Sequence, residues 1–189
     1  MTSIIFPGQG SQFLGMTKDF FDNFSIAKDT ITEIEDVTSM QIKKIIFGDN
    51  DNLLNITNFT QISIFAASMS IYQTLEKNFG FKNLNINNML GHSLGEYSAL
   101  AASKSLTIAQ ASSLLKIRGE LMNSAIEPNT TKMAALIGMG ENNIIQFCRD
   151  LLSFKFVSHS PTRCFGRKAQ FSLLVKVIYF NHNTINFIR

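Results

Sequence analysis

Gly91-His92-Ser93-Leu94-Gly95 is the stretch on which the reading of this fold turns. It fits G-x-S-x-G, the pattern of a nucleophile elbow, in which a serine occupies a tight turn between a strand and a helix. The flanks fit as well. Asn87-Asn88-Met89-Leu90 closes a short buried strand, and Glu96 to Lys104 is rich in the helix formers Ala and Leu. The turn packs strand against helix so closely that side chains at Gly91 and Gly95 would clash. Ser93 is therefore expected to be a nucleophile for acyl chemistry, its hydroxyl raised at a helix N-terminus. The string alone also arises by chance, so the order of strand, turn and helix carries the weight. His92 precedes the serine, but neighbours on a sharp turn point in different directions. It is read as a packing or hydrogen-bonding residue and not as the base.

Outward from the elbow, Ser3–Phe6 reads as a short buried strand running into a glycine-rich loop, Pro7 to Gln12. That loop lacks the Lys-Ser/Thr of a P-loop and the spacing of a dinucleotide fingerprint. It suits instead the second donor of an oxyanion hole. Short helical patterns between Phe13 and Ile46 break near Asn23 and Thr38. Asn58 to Asn78 is a longer helix with Ile62, Phe65, Ala66, Met69, Ile71 and Leu75 on its apolar side, and Gly80 caps it. Leu106 to Ile126 is another, with Ile108, Ala111, Leu114, Leu115, Ile117, Leu121 and Met122 at near-helical spacing. After the break at Glu127–Thr130, Thr131–Met139 reads as a strand and Glu141–Leu152 as a helix. Strands alternating with helices predict an α/β layered architecture.

Composition sets bounds. With 189 residues, 45% of them hydrophobic, the chain can bury one well-formed core. Cys148 and Cys164 make neither a disulfide framework nor a zinc cluster. The first residues lack the pattern of a signal peptide, and no apolar run is long enough to span a bilayer, so a cytoplasmic soluble protein is expected. Charge is uneven. Residues 1–150 hold 11 basic and 14 acidic residues, whereas residues 151–189 hold 6 basic and no acidic ones. A basic tail suggests an RNA- or membrane-binding arm, but its charges are scattered among Phe and Ile, which favours a divergent end.

Three motifs together carry a resemblance. Gln9-Gly10-Ser11-Gln12, the run Gly91 to Leu100 (Gly-His-Ser-Leu-Gly-Glu-Tyr-Ser-Ala-Leu) and Arg118-Gly119-Glu120-Leu121-Met122 resemble the malonyl-CoA:acyl carrier protein transacylases. These are stand-alone relatives of the acyltransferase domains of polyketide and fatty acid synthases. The likeness extends to about Asp150 and includes Met133-Ala134-Ala135-Leu136-Ile137-Gly138.

The resemblance implies an α/β-hydrolase-like layered core in residues 1–128, the start of a ferredoxin-like subdomain in 129–155 and a divergent basic tail in 156–189. It implies Ser93 as the nucleophile, the N–H groups of Gln9 and Leu94 as the oxyanion hole, and Arg118 as the grip on the free malonyl carboxylate. A planar guanidinium can hold a carboxylate through two parallel hydrogen bonds, which a lysine cannot. Residues 1–148 contain nine lysines and one arginine, Arg118. The competing reading of Arg118 is a surface ion pair with Glu120 or Glu127. The implied partners are malonyl-CoA, as substrate, and acyl carrier protein, with no cofactor, metal, nucleic acid or membrane, in a monomer. The implied chemistry is ping-pong transfer in fatty acid biosynthesis.

The family's general base is a histidine farther downstream of the serine than the 96 residues that come after Ser93 here. His159 comes too early and His182 lacks the matching surroundings, so the role passes to neither. Two alternatives stand beside the transacylase: a serine hydrolase or thioesterase, which has no use for Arg118, and a truncated remnant without catalysis.

Overall fold

In the computed structural model, Thr2–Phe6 (β1) and Ile86–Gly91 (β2) lie side by side as parallel strands. Ile4 stands opposite Met89, Ile5 opposite Leu90 and Phe6 opposite Gly91. Parallel strands need a long crossover. Here it consists of Lys18–Asn23 (α1), Ser25–Thr38 (α2), Ile42–Phe47 (α3) and Thr57–Thr74 (α4); Leu94–Ala102 (α5) and Ile108–Ser124 (α6) come after β2. The content is α/β, and α1 and α2 end where the sequence patterns break. The structure describes residues 2–49, 52–81 and 84–125, with Asn143, Gln146 and two later strands.

The core is built around α4. Every residue from Thr60 to Ser70 is buried, and α1, α2, α3, α5 and α6 all pack on it. Periodicity alone assigns this helix one apolar side. A helix buried all round shows no such stripe: Ile71 and Leu75 are only half-buried, while Ser63, Ser68 and Ser70 are inside. Several of the buried hydroxyls bond to main chain, Thr60 Oγ1 donating to Leu54 O at 2.6 Å and Ser70 Oγ to Ala67 O at 3.0 Å. One π turn, Leu75–Phe79, closes the helix, and the Gly80 N–H donates to Leu75 O at 3.0 Å with φ +68°. The Tyr72 hydroxyl ties α4 to the end of α5, donating to Ala102 O at 3.2 Å. Burial, and then the nearby Glu76 charge, push that phenol above its usual range, so it keeps its proton.

The strands are buried on one face only. Phe6 is buried and Ile4 and Met89 pack against the core, but Ile5 is 71% and Leu90 50% exposed. This corrects the expectation of two buried strands: among the described residues the helices cover a single side of a two-stranded sheet. Helix α6 departs from expectation in the same way. Its buried side is Ala111, Ser112, Leu115 and Gly119, while Leu114, Ile117, Leu121 and Met122 are exposed. Small residues let α6 lie close to α4, which turns its larger apolar side chains outward. The helix opens on a capping box: Gln110 N–H donates to Thr107 Oγ1 at 3.1 Å and Thr107 N–H to Gln110 Oε1 at 2.9 Å.

The chain divides into two units, Met1–Ile126 and Glu127–Arg189. In the second, Ile178–Asn181 (β3) pairs antiparallel with Thr184–Phe187 (β4), an element not read from the sequence. The strand expected at Thr131–Met139 lies outside the described residues, as does nearly all of the helix expected at Glu141–Leu152. Among the described residues no helix is long and apolar enough to cross a membrane.

Phe65, fully buried at the centre, should be the costliest of these side chains to remove. Phe65→Ala is expected to lose about 3–5 kcal/mol and Thr107→Ala about 1 kcal/mol, read from urea denaturation midpoints.

Candidate functional site

The end of β2 turns into α5 through Ser93, whose φ of 58° and ψ of −109° place it in a region side chains rarely adopt. Glycine contacts hold that turn. A Cβ on Gly91 would overlap the Gly95 carbonyl group, and one on Gly95 would fall 2.5 Å from Phe6 O and 2.8 Å from Pro7 O. No side chain fits at either place. The His92 N–H extends the ladder to Phe6 O at 3.3 Å, and Gly95 N–H donates to His92 O at 2.9 Å. The first loop is pressed on the elbow too: a Cβ on Gly8 would lie 2.6 Å from His92 Nδ1 and 2.7 Å from His92 O. The His92 ring is exposed and packs beside Gly8.

The loop is held by its own bonds, Ser11 Oγ donating to Gly8 O at 2.8 Å and Gly10 N–H to Gln12 Oε1 at 2.8 Å. Gln9 is exposed between them, and its side chain reaches Thr57 Oγ1 at 3.5 Å. Leu94 begins α5 with its side chain fully buried. The hydrogen bonds of the described residues leave the N–H groups of both Gln9 and Leu94 without an acceptor. Helix N-termini carry such free donors, and their dipoles favour negative charge there.

Arg118 reaches the elbow from α6. Its Nη2 donates to Ser93 Oγ at 2.8 Å and its Nη1 to Gln61 Oε1 at 2.5 Å, with the guanidinium 5.9 Å from the Tyr97 ring centre. Gln61 is fully buried in α4, and its Nε2 donates to Met122 Sδ at 3.2 Å. Among the described residues Arg118 meets no carboxylate. The surface ion pair with Glu120 is not formed, and Glu127 lies outside the described residues. A half-buried guanidinium with only neutral partners is a ready site for an anion, within hydrogen-bond reach of the serine.

Ser93 and Arg118 are thus brought into direct contact, and Gln9 and Leu94 flank the elbow on two sides. Two contributors were missed: Gln61 and Tyr97. Gln61 gave no signal of its own in the sequence, because the all-round burial that obliges its amide to find a partner shows only in the fold. No described residue other than Arg118 bonds the Ser93 hydroxyl. Among the described residues no group of acidic, Cys and His side chains could hold a metal.

A strained serine on a strand–turn–helix, with an arginine beside it, has the geometry of a nucleophile elbow on an α/β frame. Comparison with known proteins agrees. Residues 4–176 match the family model described as the acyl transferase domain. The malonyl CoA-acyl carrier protein transacylase of Staphylococcus aureus (strain COL) is 34% identical over 167 residues, 88% of this chain and 52% of that relative. The crystal structure of acyl-carrier-protein-S-malonyltransferase from Bartonella henselae superposes with a TM-score of 0.73 at 35% identity, covering 80% of this chain and 48% of that one. A malonyl-transacylase in complex with its type II PKS acyl-carrier protein gives a TM-score of 0.71 at 32% identity, with the same coverage. This chain belongs to the acyl transferase domain family. It spans about half the length of the curated relatives it matches.

Because backbone carbonyls stand where a methyl at Gly95 would go, Gly95→Ala should displace β1 from α5. A loss of more than about 2 kcal/mol is expected, read from the urea denaturation midpoint against the wild type.

Proposed function

We propose that this chain carries the acyl-binding half of an acyl-carrier-protein S-malonyltransferase, taking malonyl from malonyl-CoA onto Ser93 for delivery to the pantetheine thiol of acyl carrier protein. The observation that carries this reading is the guanidinium of Arg118, unpaired with any described carboxylate and 2.8 Å from the Ser93 hydroxyl. A site for neutral acyl groups has no use for that cation. In the reaction the Ser93 oxygen attacks the thioester carbonyl carbon, forming a C–O bond. The C–S bond then breaks, and coenzyme A leaves as its thiol with the serine proton. Arg118 turns from Ser93 Oγ to the free malonyl carboxylate, while the N–H groups of Gln9 and Leu94 receive the charge that develops on the carbonyl oxygen. The second half reverses the order with the carrier-protein thiol as nucleophile. The route is a serine ester and calls for no cofactor.

The proton relay is assigned to no residue of this chain. The second reading is an acyl site without turnover, since removing a triad member takes away most but not all catalysis. The parallel pair, the elbow and the flanking helices support an α/β-hydrolase-like core, and the start of a ferredoxin-like subdomain is assigned to residues 129–155. A cytoplasmic monomer, with no nucleic-acid or membrane partner, completes the proposal on the composition and the resemblance.

Intact-protein mass after mixing with malonyl-CoA tests the reading. The wild type should gain one malonyl group, and Ser93→Ala none. Arg118→Ala should slow the gain by about 10- to 100-fold, the value of hydrogen bonds to a charged group. A folded wild type that gains nothing overturns the reading of Ser93 as the acyl acceptor.

A further inference from the structure

Gly119 comes directly after Arg118 on α6 and is buried where that helix meets the first turn of α4. A Cβ there would lie 2.8 Å from Asn58 Cα, 3.2 Å from Asn58 Cβ and 3.4 Å from Asn58 O. Main-chain atoms cannot swing aside as the end of a flexible side chain can. A methyl group at Gly119 therefore has to part the two helices. The same two helices hold the guanidinium. Gln61, three residues along α4 from Asn58, accepts from Arg118 Nη1 and donates to Met122 Sδ, so both ends of its amide are tied to α6.

The serine is anchored elsewhere. The close approaches that fix Ser93 involve Gly91, Gly95 and Gly8 against β1, the first loop and α5, with no atom of α6 among them. Arg118 and Ser93 thus have different nearest supports, joined by the 2.8 Å hydrogen bond, by the Tyr97 ring of α5 beside the guanidinium and by the packing of α5 on α4 and α6. A change in the spacing of α4 and α6 acts first on the cation, because the glycine contacts that fix Ser93 lie outside that helix pair.

We propose that Gly119 is a positioning residue that sets the depth of Arg118, and so the preference for acyl groups ending in a carboxylate over neutral ones. This rests on the roles given above to Ser93 and Arg118. The absent side chain lets α6 approach α4 until the guanidinium reaches both the Gln61 amide and the serine. An added methyl withdraws the guanidinium from the carboxylate and leaves the ester-forming geometry in place.

The test compares the rates at which malonyl-CoA and acetyl-CoA acylate Ser93 in the full chain, as wild type, Gly119→Ala and the double variant Gly119→Ala/Asn58→Gly. Gly119→Ala should lose about tenfold or more of the malonyl rate, the scale expected when a binding group is misplaced by a fraction of an ångström to 1 Å. Its acetyl rate should not change. The double variant, relieved of the Asn58 Cβ, should recover part of the malonyl rate. Equal losses for the two acyl groups, or no loss, overturn the proposal. If Gly119→Ala does not fold, the double variant carries the comparison; failure of both to fold assigns Gly119 to packing alone and also overturns it. Should the wild type form no malonyl adduct, the reading of the site has failed, and a crystal structure of Gly119→Ala decides the positioning claim by itself. Separation of Arg118 Nη2 from Ser93 Oγ beyond hydrogen-bonding range supports the claim, and an unchanged contact overturns it.

Discussion

The close packing of Gly91, Gly95 and the Phe6 carbonyl is the constraint on which the rest of the structure depends. It lets β1, β2 and α5 meet at a separation that no side chain permits. The approach fixes the ladder from Phe6 O to His92 N–H, presses the first loop on the elbow and holds Ser93 at φ 58°. A serine in that conformation is costly for an unsupported chain, and the surrounding contacts stabilise it. The consequence is positional: Ser93 sits at the start of α5 with its hydroxyl bonded to Arg118.

Beside that fixed point the structure places a cation held from other elements. Arg118 comes from α6, which packs on the fully buried α4, and touches Ser93 only through one hydrogen bond. Its other partners, Gln61 and the Tyr97 ring, are neutral. Ser93 and the cation therefore differ in their nearest supports, glycine contacts at a sheet end for one and the spacing of two helices for the other.

How much of this was legible in the sequence depended on how local each signal is. The elbow was legible because strand, glycines and helix are contiguous, and Arg118 because it stands out among lysines. The bond between them was not, since 25 residues separate them and α5 and α6 must pack correctly first. Gln61 was hidden because an amide in an apolar run looks like an interruption of a stripe rather than a partner for a distant cation. The buried side of α6 was misjudged for a related reason. Large apolar residues at helical spacing suggested one face, whereas close approach to α4 selected the small residues Ala111, Ser112 and Gly119. The assignment of Gln9 and Leu94 as oxyanion donors rests on the family's motifs and on the loop that comes after the first strand.

The most direct test is a crystal structure of the chain after reaction with malonyl-CoA. A malonyl ester on Ser93 is expected, with the Arg118 guanidinium turned from the serine oxygen to grip the terminal carboxylate while Gln61 still accepts from it. An ester on Ser93 whose carboxylate points to solvent, with Arg118 left on Gln61 alone, would contradict the central claim that this unpaired cation selects the acyl group.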